Sequence, residues 1–281
     1  MKALINLVLI FFLTLSLTSC SSTKNSVKKR KKFKWPLKSF VYIEHYLYKF
    51  SCTPINPNDF TSECYEKLLG AKASGAVVGK TNTGSYVVTA GHVCDKPEVD
   101  LNSPLPLLFP EFYSTDGRQK RVFYVYDFDA YKYQAEIITY DSVKDLCLMY
   151  VWGLFEKPLK ISKKGPRHGD RVYNMAAPGG QFQKRTFPLF EGFYSGNFHH
   201  PKFSLKAMYT VPVMPGSSGS PILNERGALI GIISAGNVRF HHIMLGTLYK
   251  ETVNFIVSNI KRDLIQREGV NTKKAFNFKF D

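Results

Sequence analysis

The chain has 281 residues, 44% of them hydrophobic, and 38 Lys and Arg against 22 Asp and Glu give it a formal net charge of +16. Its apolar content can fill one large domain or two packed lobes. The positive charge raises nucleic-acid binding, but no zinc-finger cysteine spacing, RNP-like aromatic motif or basic helical repeat accompanies it, so no specific nucleic-acid partner is expected. Residues 1–20 open with Lys2, run through Leu7-Val8-Leu9-Ile10-Phe11-Phe12-Leu13 and end in Leu17-Thr18-Ser19-Cys20. A basic start, an apolar run too short for an ordinary spanning helix and a small-residue end predict a secretory signal peptide over 1–19. A retained membrane anchor or a buried helix is the alternative.

The end of this segment resembles the lipobox of bacterial lipoproteins, in which a thiol follows two small residues and a leucine. The resemblance implies that Cys20 becomes the first mature residue and carries a thioether-linked diacylglycerol. With an added N-acyl chain this anchors stably, because two or more chains hold where one is marginal. The mature protein would then be exported and lipid-anchored to a bacterial membrane, on the periplasmic or cell-surface side. Between residues 21 and 38 stand Lys24, Lys28, Lys29, Arg30, Lys31, Lys32, Lys34 and Lys38 with no acidic residue. Such a block repels itself and stays extended, so 20–40 reads as a basic tether lying on anionic lipid or cell-wall phosphate, an attraction screened by salt.

Five cysteines are present. With Cys20 acylated, four remain, and four allow three pairings in a compartment that permits disulfides. Cys52 and Cys64 bracket a loop rich in Pro, Asn, Asp and Ser, and a bridge between them would contribute about 3 kcal/mol. Cys94 and Cys147 are then left for each other, or stay as buried free thiols.

Short β-rich segments follow at 41–50, 75–79, 86–89, 121–127, 134–140 and 146–152, with the second and third joined as a hairpin across a Lys-Thr-Asn-Thr-Gly-Ser turn. After Lys164-Gly165-Pro166 come 171–176, 190–197, 207–213, 228–234 and 243–248. The period then changes: Val253, Ile256, Val257, Ile260 and Leu264 recur at helical spacing. The expectation is an all-β fold of two packed barrels, each of about six antiparallel strands, closed by a C-terminal α-helix. The domain spans 41–264, with the first barrel near 41–160, the second near 165–250, the helix near 251–264 and a loose tail over 265–281. Residues 95–120, with four prolines, read as a long insertion that either rims a cleft or is a surface loop.

Three segments carry chemistry. Val87-Val88-Thr89-Ala90-Gly91-His92 presents a histidine after a strand, Asp145 opens the apolar run to Val151, and Gly216-Ser217-Ser218-Gly219-Ser220-Pro221 places a serine between glycines. Serine is a weak nucleophile at its free pKa and needs a base with an orienting carboxylate. His, Asp, Ser in this order resembles the trypsin-like serine peptidases of the chymotrypsin fold. The α/β-hydrolases put serine first and the subtilisins aspartate first. The stretch 215–232 looks most like the bacterial glutamyl endopeptidase and Htr-type branch.

The resemblance implies that Ser218 is the nucleophile, His92 the general base and Asp145 its orienter, with the N–H groups of Gly216 and Ser218 as the oxyanion hole. Ser217 stands where Asp or Asn is usual, which argues against activation through an ion pair with a new N-terminus. Gly91 replaces a more usual alanine, a mild change. By position the primary specificity pocket takes its walls from Pro212, Val213 and Met214 and from Ser234, Ala235 and Gly236. No carboxylate lies at its base and Ile233 occupies the place of a glutamyl-type histidine, so neither Lys or Arg nor Glu is expected at P1, and a small or medium apolar side chain remains. The partner is a protein or peptide substrate, and the strand at Ser234 would hold its backbone by strand addition.

No cofactor is implied. The pairs His199-His200 and His241-His242 put neighbouring side chains on opposite faces of a strand, a poor chelate without supporting Cys or carboxylate spacing, so no metal site is expected. A catalytically silent binding or adhesion lipoprotein that retains the fold is the competing function.

Overall fold

The structure, a computed structural model, describes residues 32–50, 65–95, 119–199, 205–237 and 240–268. The signal segment, Cys20, Cys52, Cys64, most of the 95–120 insertion and the tail beyond 268 lie outside these residues. Residues 1–32 form one unit, of which only the exposed Lys32 is described; the fold belongs to the second unit, from Phe33 onward.

The first barrel comprises β1 (Phe40–Phe50), β2 (Tyr65–Lys80), β3 (Gly84–Thr89), β4 (Gln119–Tyr126), β5 (Lys132–Asp141) and β6 (Leu146–Trp152), closed in the order β1-β2-β3-β6-β5-β4. The second comprises β7 (Arg171–Met175), β8 (Leu189–His199), β9 (Leu205–Tyr209), β10 (Pro221–Leu223), β11 (Leu229–Asn237) and β12 (Phe240–Gly246), in the order β10-β11-β12-β9-β8-β7. All pairings are antiparallel. One helical turn, α1 (Gly91–Cys94), follows β3, and α2 (Tyr249–Glu268) ends the described chain. The expected two six-stranded barrels with a closing helix are therefore present. Several segments differ from the sequence reading: β2 begins at Tyr65 rather than near 75, and α2 runs to Glu268, into the stretch expected as a loose tail. The strand expected over 207–213 stops at Tyr209, because Pro212 and Pro215 bring turns and remove donors. Pro221–Leu223, hidden in the serine motif, pairs with both β11 and β7.

Successive strand residues face opposite sides, and here both sides are dry. On β1, Val41 and Ile43 fill the first barrel while Phe40 and Tyr42 face a shared core. On β6, Cys147, Met149 and Val151 point inward while Leu146, Leu148 and Tyr150 join that shared core. This explains why β6 reads as a continuous apolar run rather than an alternating one. The second barrel has its own filling, including Val172, Tyr209, Ile222, Ile230 and Met244. Helix α2 lays Ile256, Ile260 and Leu264, one stripe at i, i+4, i+8, into the shared core beside Tyr86 and Leu148. Each such burial stabilises by about 2 kcal/mol. Tyr86 Oη also donates to Asp263 Oδ2 at 2.7 Å, fixing the helix to β3.

Packing begins before β1. The Phe33 ring stacks on Tyr173 with centroids 3.7 Å apart, and Trp35 meets the same ring edge-on at 5.5 Å. Charge density marks this stretch as solvated tether, but the two aromatic side chains within it give the chain an anchor on the second barrel.

Candidate active site

Neighbouring strands carry His92 and Asp145 to one place. β3 and β6 are paired, with Thr89 opposite Cys147, so the residues after Thr89 and before Cys147 leave the sheet at the same end. There His92, in α1, places Nδ1 2.9 Å from Asp145 Oδ1 and 3.1 Å from Oδ2. The His92 backbone N–H donates to Asp145 Oδ1 at 2.7 Å, and Ser234 Oγ donates to Oδ2. Burial pushes the Asp145 carboxyl upward; the hydrogen bonds from His92 and Ser234, with the charge of His92, outweigh it and hold the group below the ordinary carboxylate range. Asp145 thus stays anionic at neutral pH, with only 14% of its side chain exposed against 50% for His92.

The backbone at Asp145 is left-handed, φ 58°, a conformation uncommon outside glycine. Lys206, buried on β9, donates from Nζ to the Lys144 carbonyl at 3.2 Å and so holds the peptide leading into that turn. Burial lowers the Lys206 pKa, opposed by the carboxylates of Asp145, Glu251 and Asp141. Nothing in the sequence marks this lysine, because a single basic residue in a strand reads as solvent-facing.

Gly91 is less replaceable than the sequence suggests. A β-carbon there would lie 2.8 Å from Leu146 N, 2.9 Å from Asp141 O and 2.9 Å from the Asp145 carbonyl carbon, all backbone. The change from alanine lets α1 lie directly against the Asp145 turn. A disulfide between Cys94 and Cys147 ties the same two segments together.

Ser218 sits on the loop between β9 and β10. Of the three motif serines, Ser217 and Ser220 are fully buried, whereas Ser218 is half-buried. Ser220 Oγ accepts from Asn174 Nδ2 at 2.8 Å, and Ser217 Oγ from the Met214 N–H at 3.4 Å. The loop docks on the first barrel through the Ser74 N–H, which donates to Ser218 O at 2.8 Å, and on β11 through the Gly219 N–H, which donates to Ile233 O at 2.8 Å. Gly219 has φ +84°, and a β-carbon on it would lie 2.9 Å from Ala90 N, so the serine loop abuts the segment leading to His92. No hydrogen bond joins Ser218 Oγ to His92 among the described residues; such bonds are often long in unliganded sites and tighten with substrate.

Two N–H groups beside Ser218 have no partner among the described residues, those of Gly216 and of Ser218 itself. The Pro215 carbonyl accepts from the Gly179 N–H at 2.7 Å, and across a trans peptide the Gly216 N–H must point the opposite way. Such a donor pair beside a hydroxyl can hold an oxyanion that develops on a carbonyl attacked there.

The sequence matches the trypsin-like peptidase domain over residues 73–232, more than half of the chain. The chain belongs to that family. In fold it is similar to the HtrA-type protease AlgW with decapeptide, at 15% identity and a TM-score of 0.57 over 80% of this chain and 65% of that one. It is likewise similar to the active form of the Rv3671c protease from M. tuberculosis, at 16% identity and a TM-score of 0.53 over 79% of this chain and 81% of that one. The chain spans a little under two thirds of the HtrA-type structures, 64% and 65% of their lengths.

In this trypsin-like peptidase the expected pocket residues divide. Val213 is nearly buried, and a β-carbon on Gly236 would lie 2.3 Å from its Cγ1, so the isopropyl group rests directly on the Gly236 backbone. Pro212 and Ala235 are half-buried and Met214 is exposed. Ser234, assigned from sequence to substrate binding, turns its hydroxyl onto Asp145. Ile233 is fully buried in the second barrel's core. Among the described residues no group of His, Cys, Asp and Glu is arranged to hold a metal ion, and His199 and His242 are exposed.

Proposed function

We propose that the chain is a serine endopeptidase, tethered to a membrane outside the cytoplasm, that cuts after small or medium apolar residues. The carrying observation is that Ser218 alone of its motif's serines is accessible, and that its own N–H and that of Gly216, both without a partner among the described residues, lie on the loop abutting the segment leading to His92. Ser218 Oγ attacks the scissile carbonyl while His92 takes its proton. Asp145, kept anionic, holds the imidazole with Nδ1 toward itself and stabilises the imidazolium. The N–H groups of Gly216 and Ser218 bind the tetrahedral oxyanion. His92 then protonates the leaving amine, and water, deprotonated by His92, releases the acyl group from Ser218.

Val213 lying on Gly236 supports the P1 reading: a slot whose wall is filled by an isopropyl group has no depth for a long or charged side chain. Tethering rests on the lipobox-like ending at Cys20 and the basic stretch after it. A fluorophosphonate probe applied to fractionated bacteria producing the full chain tests the reading as a whole. It should label the membrane fraction, give no label with Ser218→Ala, and move to the soluble fraction with Cys20→Ser. The purified wild type should cleave a peptide library after small or medium apolar residues such as Ala or Val. A folded, unlabelled wild type would instead point to a silent binding protein, and efficient cutting after Arg, Glu or Phe would sink the pocket assignment.

A further inference from the structure

We infer that Ser74, on β2 of the first barrel, is a positioning residue that fixes the oxyanion-binding peptides of the second. The inference rests on the endopeptidase reading above and concerns how its hole is held in shape. Ser74 is fully buried, and each of its hydrogen-bonding groups is committed within this junction. Its N–H donates to Ser218 O at 2.8 Å, and its carbonyl accepts from Thr89 Oγ1 at 2.8 Å. Its hydroxyl donates to the Gly216 carbonyl at 2.8 Å and accepts from the Ala177 N–H at 3.0 Å. One side chain therefore joins the serine loop to the turn at 177–180.

That turn is the other half of the device. Gly216 has φ +98°, and a β-carbon on it would lie 2.5 Å from Ala177 O, 3.0 Å from Gly180 N and 3.3 Å from Gly179 N. The peptide before Gly216 is held by the Gly179 N–H on the Pro215 carbonyl. The peptide after it is held on one side by Ser74 Oγ on the Gly216 carbonyl, and on the other by the Ser217 N–H, which donates to Met214 O at 2.9 Å. A glycine at positive φ has little steric preference of its own, so these outside bonds choose which way its N–H points. Without the Ser74 hydroxyl, the Gly216 carbonyl and the Ala177 N–H lose their partner together, in a buried place where such groups seek one. The turn at 177–180 then loses its tie to β2, its Gly179 N–H holds the Pro215 carbonyl less firmly, and the Pro215–Gly216 peptide turns so that the Gly216 N–H leaves the cleft for part of the time.

Full loss of one oxyanion donor costs about 100- to 1000-fold in turnover, so partial loss of its orientation in Ser74→Ala should lower kcat about 10- to 100-fold. KM should stay within about threefold, since the donor acts in the transition state rather than on bound substrate. A peptide boronic acid, which bonds covalently to Ser218 and places an oxygen in the hole, separates this from mere loosening of the fold. Its inhibition constant should rise in proportion to the fall in kcat/KM, while a non-covalent peptide inhibitor binds as before. Thermal melting establishes that the variant is folded. Should Ser74→Ala not fold, Ser74→Cys, close in size but a weaker hydrogen-bonding group, should reproduce both effects at smaller amplitude. A folded variant with wild-type kcat, or a fall in kcat with unchanged boronate affinity, would overturn the inference while leaving the endopeptidase reading intact. A folded wild type that neither hydrolyses peptides nor binds the boronate would overturn both.

Discussion

The two barrels hold their shares of the site by different means. In the first, the grip is through side chains, two of them reaching over from the second barrel: the Asp145 carboxylate accepts from His92 and from Ser234 of β11, Lys206 of β9 pins the preceding carbonyl, and a disulfide joins the segments on which His92 and Asp145 ride. In the second, the Ser218 loop is shaped mainly by backbone hydrogen bonds and by glycines at positive φ, with the hydroxyl of Ser74 from the first barrel bracing it and Ser217 and Ser220 turned inward as supports. The difference follows from what each half must present. A base and a carboxylate need their charges oriented, which side chains do; an oxyanion hole needs main-chain N–H groups aimed at one point, which only the backbone supplies. The side-chain half should therefore respond to changes of charge, and the backbone half to changes of shape.

The sharpest way to break this contrast is Asp145→Asn. It preserves volume but removes the charge and offers His92 the wrong partner, so kcat should fall about 10⁴-fold with the fold intact; steady-state kinetics on a variant with wild-type melting reads it, and a fall under tenfold would mean that orientation does not depend on this carboxylate. Next comes the cross-link. Replacing Cys94 and Cys147 together with Ser opens a loop with a sequence separation of 53 residues and should cost about 4 kcal/mol in the chain-entropy picture, measured by denaturant unfolding. Smallest in free energy is Gly219→Ala, a neutral change that places a β-carbon 2.0 Å from Thr89 Oγ1 and 2.2 Å from Ser74 O. The loop must move by ångströms, and kcat should drop at least about 100-fold in single-turnover acylation. Unchanged acylation in that variant would show the loop to be more pliant than its backbone bonds imply.

Much of this organisation was legible in the sequence because strands, turns and the order His92, Asp145, Ser218 are local or ordinal signals. The closing helix announced itself through Ile256, Ile260 and Leu264, and the barrels through strand-length apolar runs. What escaped was non-local. Ser74 is an ordinary small polar residue in a strand until the second barrel folds against it. Ser234 lies on the expected pocket strand, yet its hydroxyl turns to Asp145, a choice of face that a one-residue shift would reverse. Gly91 looked interchangeable with alanine because only the folded Asp145 turn leaves it no room. Phe33 and Trp35 were masked by the lysines around them, since average charge says nothing about two rings meeting Tyr173.

The bridge between Cys94 and Cys147 has a bearing on what happens when the chain is cut. Cys94 follows His92 by two residues and Cys147 follows Asp145 by two, so the insertion after α1 and the strands β4 and β5 all lie inside the loop it closes. A single scission anywhere in that loop, by another copy of the chain or by a foreign protease, yields two fragments that stay linked beside His92 and Asp145. The nicked molecule keeps both on one covalent assembly and separates into two bands on a gel only after reduction.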